Sequence, residues 1–285
     1  MKRSSFFPAV SKKTRGTILL VAVGTLAFLS ILGAGAASSV SQELKLSTFL
    51  TDSNTSPYMA LSGIQAMKAY WRYAQPATIL SLYGLQPRTF SLDGRQLEMT
   101  FVDEEGLIHI TRTPQAYLLK LPGINNNQDL VNEILAHPPV VKEELLGIKG
   151  LEPDAYAQMK DLISVYGDGK VNINTAGSDV LSALGLSESL IRKIREFRAG
   201  EDGQEGTKDD GVFTDLARIP EVLEPYGISS PEREQIQVLI FGQRLKLYSG
   251  YVRINLAVKN GKKTLKTFHA VVELSTGMIR RWDEE

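Results

Sequence analysis

The densest oxygen donors in this 285-residue chain lie between Arg198 and Phe213, where Glu201, Asp202, Glu205, Asp209 and Asp210 alternate with Gly200, Gly203, Gly206 and Gly211, and only Lys208 offsets them. Carboxylates at that density in a flexible loop suit Ca2+, which takes about six to eight oxygen ligands, better than Mg2+ or zinc. Asp202, Glu205, Asp209 and Asp210 are the expected ligands, supplemented by Glu201 and backbone carbonyls. The spacing is not that of an EF-hand, and a solvated acidic loop is the competing reading. No other group of residues assembles a reactive constellation. His109, His137 and His269 share no metal-ligand spacing. Asp103, Glu104 and Glu105 could supply paired carboxylates for acid–base work, but an acidic turn at a strand end has the same composition. There is no cysteine, which removes disulfide frameworks, thiolate nucleophiles and thiolate-bound zinc. Neither a Walker loop nor a serine nucleophile elbow is present. The chain is expected to be no enzyme.

Charge narrows the partners. The 32 Lys and Arg balance the 32 Asp and Glu, whereas a domain that neutralises a phosphate backbone usually carries a basic excess. The balance is uneven along the chain, because Lys2, Arg3, Lys12, Lys13 and Arg15 crowd the start and the next charged residue is Glu43. Residues 17–37 form an uncharged, mostly apolar run that as a helix would span roughly 31 Å, enough for a bilayer core of about 30 Å. With only basic residues ahead of it, the amino terminus is expected in the cytoplasm and the bulk of the chain outside. Ala34, Gly35 and Ala36 would also serve a cleavable secretory signal, although the apolar core of such signals is only about 7 to 15 residues.

Beyond the apolar run, residues 47–57 are polar and turn-rich, and residues 58–73 place Leu61, Ile64, Met67, Ala69, Tyr70 and Trp71 at helical spacing, ending near Pro76. Thr89, Phe90 and Leu92, then Leu97, Met99 and Phe101, alternate around Asp93 and Gly94, which predicts a hairpin with a two-residue turn. Residues 251–256 and 264–274 flank Asn260 and Gly261, and residues 278–282 supply a further strand. Between these β-rich ends lies a helical middle, so the expected class is α+β, an antiparallel sheet with a large inserted helical part. The middle carries a weak internal repeat: residues 106–123 reappear 63 residues later as residues 169–186, a short strand feeding a helix that ends at Gly or Pro. In the second copy Asn174 or Thr175 is placed to cap the helix beginning near Gly177.

Two features carry a resemblance. The junction from Lys12 to Thr17 resembles the processing site of type IV pilin-like proteins, in which a membrane peptidase cuts after the glycine; this implies a mature chain starting at Thr17, after Gly16. The run Val171-Asn172-Ile173-Asn174-Thr175-Ala176, followed by Leu184-Gly185-Leu186, resembles a helix-hairpin-helix opening, with Asn172, Asn174, Thr175 and Gly185 as its structural residues. Such an opening occurs in the periplasmic DNA receptor of natural transformation and in the large minor pseudopilin of type II secretion, general secretion pathway protein K. The order of Gly16, the helix at residues 60–70, the two strand–helix copies and the acidic glycine-rich loop is similar to the second, across nearly the whole chain. The first copy departs from that family in reading Ile108-His109-Ile110-Thr111-Arg112-Thr113 where the family is closer to I-N-L-N-T, and Pro138 and Pro139 interrupt the inserted helices.

The resemblance implies a leader at 1–16, a transmembrane helix at 17–37 within a long helical region to about 75, and a pilin-like core begun by 77–112 and completed by 245–285. An inserted helical domain at 113–244 would hold the helix-hairpin-helix-like segment 169–220. It implies a single-pass bacterial inner-membrane protein that meets prepilin peptidase and other minor pseudopilins, capping or initiating the periplasmic pseudopilus that drives export of folded proteins. It also brings Ca2+ to the acidic loop. Val21 falls at the fifth mature position, where most pilin-like subunits carry Glu, and an apolar residue there implies a terminal place in the fibre. The alternative is a membrane-anchored periplasmic protein that binds DNA. Here the Gly185 hairpin would grip phosphate through its amides, against which stand the adjacent Glu188 and the absent basic excess.

Overall fold

The computed structural model describes the backbone of residues 12–73, 81–92 and 94–285, with side chains from Leu19 onward except at 36, 49, 72 and 73. Residues 1–11, Pro76 and Asp93 lie outside the described residues, as do the side chains at the Gly16 and Thr17 junction. The chain divides into two units, the first ending at Thr55 and the second Ser56–Glu285.

Helix α1 (Lys12–Tyr73) accounts for the described part of the first unit. Its side chains there are exposed on all sides, with Leu20, Leu26, Phe28 and Ile31 each more than 60% exposed. Residues 47–57, polar and turn-rich in composition, are part of this helix. Thr48, Thr51 and Thr55 donate their hydroxyls to the carbonyls of Leu44, Ser47 and Thr51, at 2.9, 2.9 and 2.8 Å, and the helix continues through Pro57.

In the second unit, residues 56–73 of α1 lie on a five-stranded antiparallel sheet. Strands β1 (Arg88–Leu92), β2 (Arg95–Asp103), β7 (Tyr251–Asn260), β8 (Lys263–Glu273) and β9 (Ile279–Glu284) are ordered β1-β2-β7-β8-β9. Val252, Ile254, Leu256 and Val258 alternate toward the helix, and Ala60, Ile64, Met67 and Trp71 meet them together with Leu97, Met99 and Phe101. Leu61, expected on the buried stripe, is 37% exposed, because the line that touches the sheet runs through residues 60, 64, 67 and 71. A Cβ on Gly63 would strike Leu97, so glycine sets how closely helix and sheet approach.

The chain leaves the sheet after Asp103 and returns at Tyr251, directly opposite, since Asp103 pairs with Val252. What lies between is a tandem pair. The first part opens with β3 (Ile108–His109), runs through helices α2 (Gln115–Leu118), α3 (Gln128–Ala136) and α4 (Pro153–Met159), and closes with β4 (Ile163–Ser164), parallel to β3. The second opens with β5 (Val171–Asn172), runs through α5 (Ser178–Ala183), α6 (Glu188–Arg198), α7 (Ile219–Val222) and α8 (Ser230–Phe241), and closes with β6 (Leu245–Lys246), parallel to β5. The bonding is the same in both: Ile108 and Ile110 donate to the carbonyls of Leu162 and Ser164, and Val171 and Ile173 to those of Arg244 and Lys246, all at 2.8–3.1 Å. The 63-residue repeat is thus a repeat of structure, and both halves share one core around Ile108, Leu121, Ile163, Val171, Leu184 and Leu245.

The strand at residue 108, expected in the first part of the sheet, and residues 245 and 246, expected among its closing strands, therefore belong to the inserted part. Each is two residues long and bonded to a partner inside the insert.

His109 shows how the repeat is kept with a different side chain. In the second copy Asn172 Oδ1 accepts the Asn174 amide at 3.0 Å; 63 residues earlier His109 Nδ1 accepts the amides of Thr111 and Arg112, both at 3.3 Å. Burial, reinforced by the neighbouring Arg112 charge, lowers the His109 pKa from 6.5 to about 4. The folded state thus binds this proton less well than the unfolded state. Stability is whole above about pH 6.5, falls as the pH drops from there toward 4, and is fully lost below, a total of about 3 kcal/mol. Urea unfolding at pH 7 and pH 4 should show His109→Asn losing less stability on acidification than the parent; an equal loss would remove His109 as the cause.

Candidate functional site

Asp103, Glu104 and Glu105 form the corner where β2 ends and the insert begins, with Glu104–Gly106 as one 3-10 turn started by the Asp103 carboxylate accepting the Glu105 amide at 2.9 Å. All three carboxylates are buried, and each is answered by a different piece of the insert. Asp103 Oδ2 accepts Asn172 Nδ2 at 2.9 Å, Thr175 Oγ1 at 2.5 Å and Ser249 Oγ at 2.5 Å. Glu104 accepts Ser164 Oγ at 2.6 Å on one oxygen and pairs with Arg253 at 2.5 Å on the other. Glu105 pairs with Lys246 Nζ at 2.7 Å and accepts the Gly250 amide. The closing residue of each tandem half, Ser164 and Lys246, is thus held by consecutive side chains of one turn. Gly167 completes the corner, since at its φ of +101° any side chain would be strained and a Cβ would run into the Glu105 carboxylate. Burial pushes the Asp103 pKa up, against the pull of the hydroxyl and amide donors around it. The corner is a joint: every donor it uses belongs to the chain's own framework.

The V-N-I-N-T-A residues are the other side of that joint. Neither Asn174 nor Thr175 caps α5, whose N-cap Gly177 has no side chain to offer. Asn174 Oδ1 accepts the Phe213 amide at 2.8 Å, while its Nδ2 donates to the carbonyls of Phe213 and Leu247 at 3.0 and 3.1 Å. Thr175 is drawn away to Asp103. The buried Arg198 donates Nη1 to the carbonyls of Ile173 and Ala176, at 3.3 and 2.8 Å, and pairs through Nη2 with Glu205 at 2.7 Å.

Glu205 belongs to the acidic loop, and Asp202, Asp209 and Asp210 there are also engaged. Asp209 Oδ2 accepts the amides of Glu201 and Asp202 at 2.8 and 3.0 Å, and its Oδ1 accepts the Thr207 hydroxyl at 2.7 Å. Asp210 accepts the amides of Gly206 and Thr207 at 2.8 and 3.0 Å, and Asp202 that of Gln204 at 2.8 Å. Among the described residues no three Asp, Glu or His side chains gather to hold a metal ion. A Ca2+ site wants several carboxylate oxygens converging on one point. As folded, Asp202, Asp209 and Asp210 turn oxygens to backbone amides, and Glu205 turns its own to the guanidinium groups of Arg195 and Arg198.

Gly185, the hairpin glycine, takes a φ of +87°. Its amide donates to Ser182 O at 2.8 Å, that of Leu186 to Leu181 O at 3.2 Å, and that of Ser187 to the Gln235 side chain at 2.9 Å. A phosphate would find those three donors already used. The histidines have separate partners: His109 in its turn, His137 with Glu133 at 3.4 Å, and His269 with Asn255 at 2.8 Å. Sequence reasoning did not single out Ser164, Lys246, Ser249 or Arg253, and no local pattern marks them; the signal was the run of three acids at a strand end.

The other functional feature is α1, the one helix among the described residues long and apolar enough to cross a membrane, by length and composition. Val21 sits in it 62% exposed, its carbonyl accepting the Thr25 hydroxyl at 3.0 Å.

No protein-family model and no curated protein matches this sequence. Among solved structures, a chain of the crystal structure of the GspK-GspI-GspJ complex, from the type 2 secretion system of enterotoxigenic Escherichia coli, aligns with a TM-score of 0.56 and 13% identity. The alignment covers 86% of this chain and 98% of that one. The two chains share a fold. It is the pilin-like α+β fold, a long amino-terminal apolar helix on an antiparallel sheet with a helical insert, expected from the sequence.

Proposed function

We propose that this chain is a membrane-anchored minor pseudopilin, of the general secretion pathway protein K type, that caps or initiates the periplasmic pseudopilus of a type II secretion system. The observation that carries the reading is the shared fold, which extends over 98% of a chain from a complex of three different secretion subunits. The apolar helix supports an inner-membrane anchor, with the basic leader in the cytoplasm and the bulk in the periplasm. Prepilin peptidase would cut between Gly16 and Thr17. The work is assembly, and its chemistry is that of surfaces: a helix that a bilayer or neighbouring helices must cover, and a folded head whose buried carboxylates at Asp103, Glu104 and Glu105 are bound internally.

Val21 supports the terminal place. A buried unpaired charge is strongly disfavoured, so a carboxylate at this depth needs the terminal amine of a neighbour beyond it. A subunit with no such neighbour does better with valine. Val21→Glu is expected to leave cleavage intact and to give assembly no gain. The full chain, extracted in mild detergent with the other minor pseudopilins of its host, should copurify with one or two of them in fixed ratio and form no homopolymer. Long fibres of this subunit alone, or its repetition along a fibre shaft by electron microscopy, would overturn the terminal assignment. The DNA reading loses support from the occupied hairpin amides at Gly185, Leu186 and Ser187.

A further inference from the structure

We propose that the cleft between the insert and the outer face of the sheet holds the carboxyl end of a polypeptide segment with a basic residue close behind it. The cleft encloses about 470 Å³, within the range of about 300–1,000 Å³ common to ligand sites. Its floor follows from the strand register. Arg253, Val271 and Arg281 lie side by side across β7, β8 and β9, close to the corner at Asp103, and Asn255, His269 and Asp283 form the next row outward. The insert adds Lys142, Glu143, Ser164 and Tyr166, and the corner adds Glu104. Glu104 and Glu143 reach Arg253 and Arg281, so these groups gather over the inner row, and Glu284 and Glu285 extend the outer one.

At the inner end the acids are matched and donors are left over. Glu104 accepts Arg253 on one oxygen and Ser164 on the other, both at 2.6 Å, and Glu143 accepts Arg281 Nη1 at 2.8 Å. Arg253 uses Nε and Nη2 on Glu104, and Arg281 uses Nε on Asp283. Arg253 Nη1, Arg281 Nη2 and the Tyr166 hydroxyl have no protein partner among the described residues. Lys142 makes no ion pair there either: its ammonium donates to the Lys160 carbonyl at 2.9 Å, and two of its three hydrogens remain. These groups lie within reach of one another's charge. Burial, then the Arg253 charge, lowers the Lys142 pKa, while Tyr166, raised by burial, is pulled back by Arg281 and Arg253. A carboxylate, planar and able to accept several bonds, matches guanidinium and ammonium donors left in this way. The outer end has the opposite sign. Arg281 holds Asp283 and Lys266 holds Glu284, which leaves Glu285 with only the His269 ring, at 3.6 Å. A ligand that is anionic throughout is repelled there, whereas one whose carboxylate leads and whose cation follows meets both ends.

Isothermal titration calorimetry on the full chain in mild detergent, with the tripeptide Lys-Gly-Ala as probe, tests it. One-to-one binding is expected, and the same peptide amidated at its carboxyl end should bind at least about tenfold more weakly, as should acetate. Lys142→Met leaves the ion pairs of Arg253 and Arg281 in place and should weaken the tripeptide at least about tenfold without moving the urea midpoint of the fold; Tyr166→Phe should weaken it several-fold. No binding, or equal binding of acid and amide, would overturn the carboxylate site. Acetate as tight as the tripeptide would assign the cleft to free carboxylates and overturn the chain end as its occupant, and undiminished binding in Lys142→Met would place the peptide elsewhere. None of these results bears on processing at Gly16 or on copurification with pseudopilins, which are measured separately.

Discussion

Asp103→Ala should cost the folded head about 4 kcal/mol or more, the largest effect of any single side chain in the joint. Its carboxylate answers Asn172, Thr175 and Ser249 on one oxygen and the Glu105 amide on the other, all in a buried setting. Alanine would remove the acceptor of the Glu105 amide and of the Ser249 hydroxyl, leaving Asn172 with Ser249 at 3.0 Å and Thr175 with the Asn172 carbonyl at 3.5 Å, and each unmet buried donor costs roughly 1–3 kcal/mol. Asp103→Asn should cost less, because the hydroxyls of Thr175 and Ser249 can turn to accept from the new amide. The joint also couples two layers with different reporters. Trp71 packs on Phe101 at 5.9 Å and Trp282 on Phe268 at 5.1 Å, so in the unit Ser56–Glu285 taken alone tryptophan fluorescence follows the sheet while far-ultraviolet circular dichroism is dominated by the helical insert. In the parent the two signals should unfold together in urea. In Asp103→Ala the dichroism should fall first, and coincident curves with an unshifted midpoint would refute the joint.

Arg198→Ala should come next, at about 4 kcal/mol, for a different reason. The guanidinium holds two carbonyls of the V-N-I-N-T-A turn and balances Glu205, and removing it leaves that mostly buried carboxylate with only the more exposed Arg195, at 3.2 Å. The opposing effects on Arg198 itself show how tightly the pair is bound together: burial lowers its pKa, while Glu205 raises it. Lysine carries the charge without the planar fork that reaches both carbonyls and the carboxylate, so Arg198→Lys should recover only part of the loss. Removing Glu205 as well should restore stability relative to Arg198→Ala. Strict additivity in that double-mutant cycle would show that the two side chains are not coupled.

The sheet was legible because its signals are local. Alternation from Thr89 to Phe101 around Gly94, and the Asn260-Gly261 turn between two alternating runs, fix two hairpins with their inward faces, and β1, β2, β7 and β8 follow. The tandem repeat was legible as sequence, but its closing strands were not, because a two-residue strand such as Ile163 and Ser164 has no period to read. Thr175 looked like a helix cap for the same local reason; it bonds to Asp103, 72 positions away, and only the folded chain brings the two together. Composition alone does not decide the acidic loop. Carboxylates among glycines suggest a cation, but glycines also free the backbone to turn its amides inward. Gly200, at a φ of +62°, lies so close to the Asp209 carbonyl that a Cβ would strike it.

The most direct test of the pseudopilin reading is the mature amino terminus. Mass spectrometry of the protein extracted from membranes of cells that contain prepilin peptidase should find a chain starting at Thr17, retaining the apolar helix that holds it in the bilayer. A chain starting at Met1, or one released by cleavage after Ala36, would contradict it.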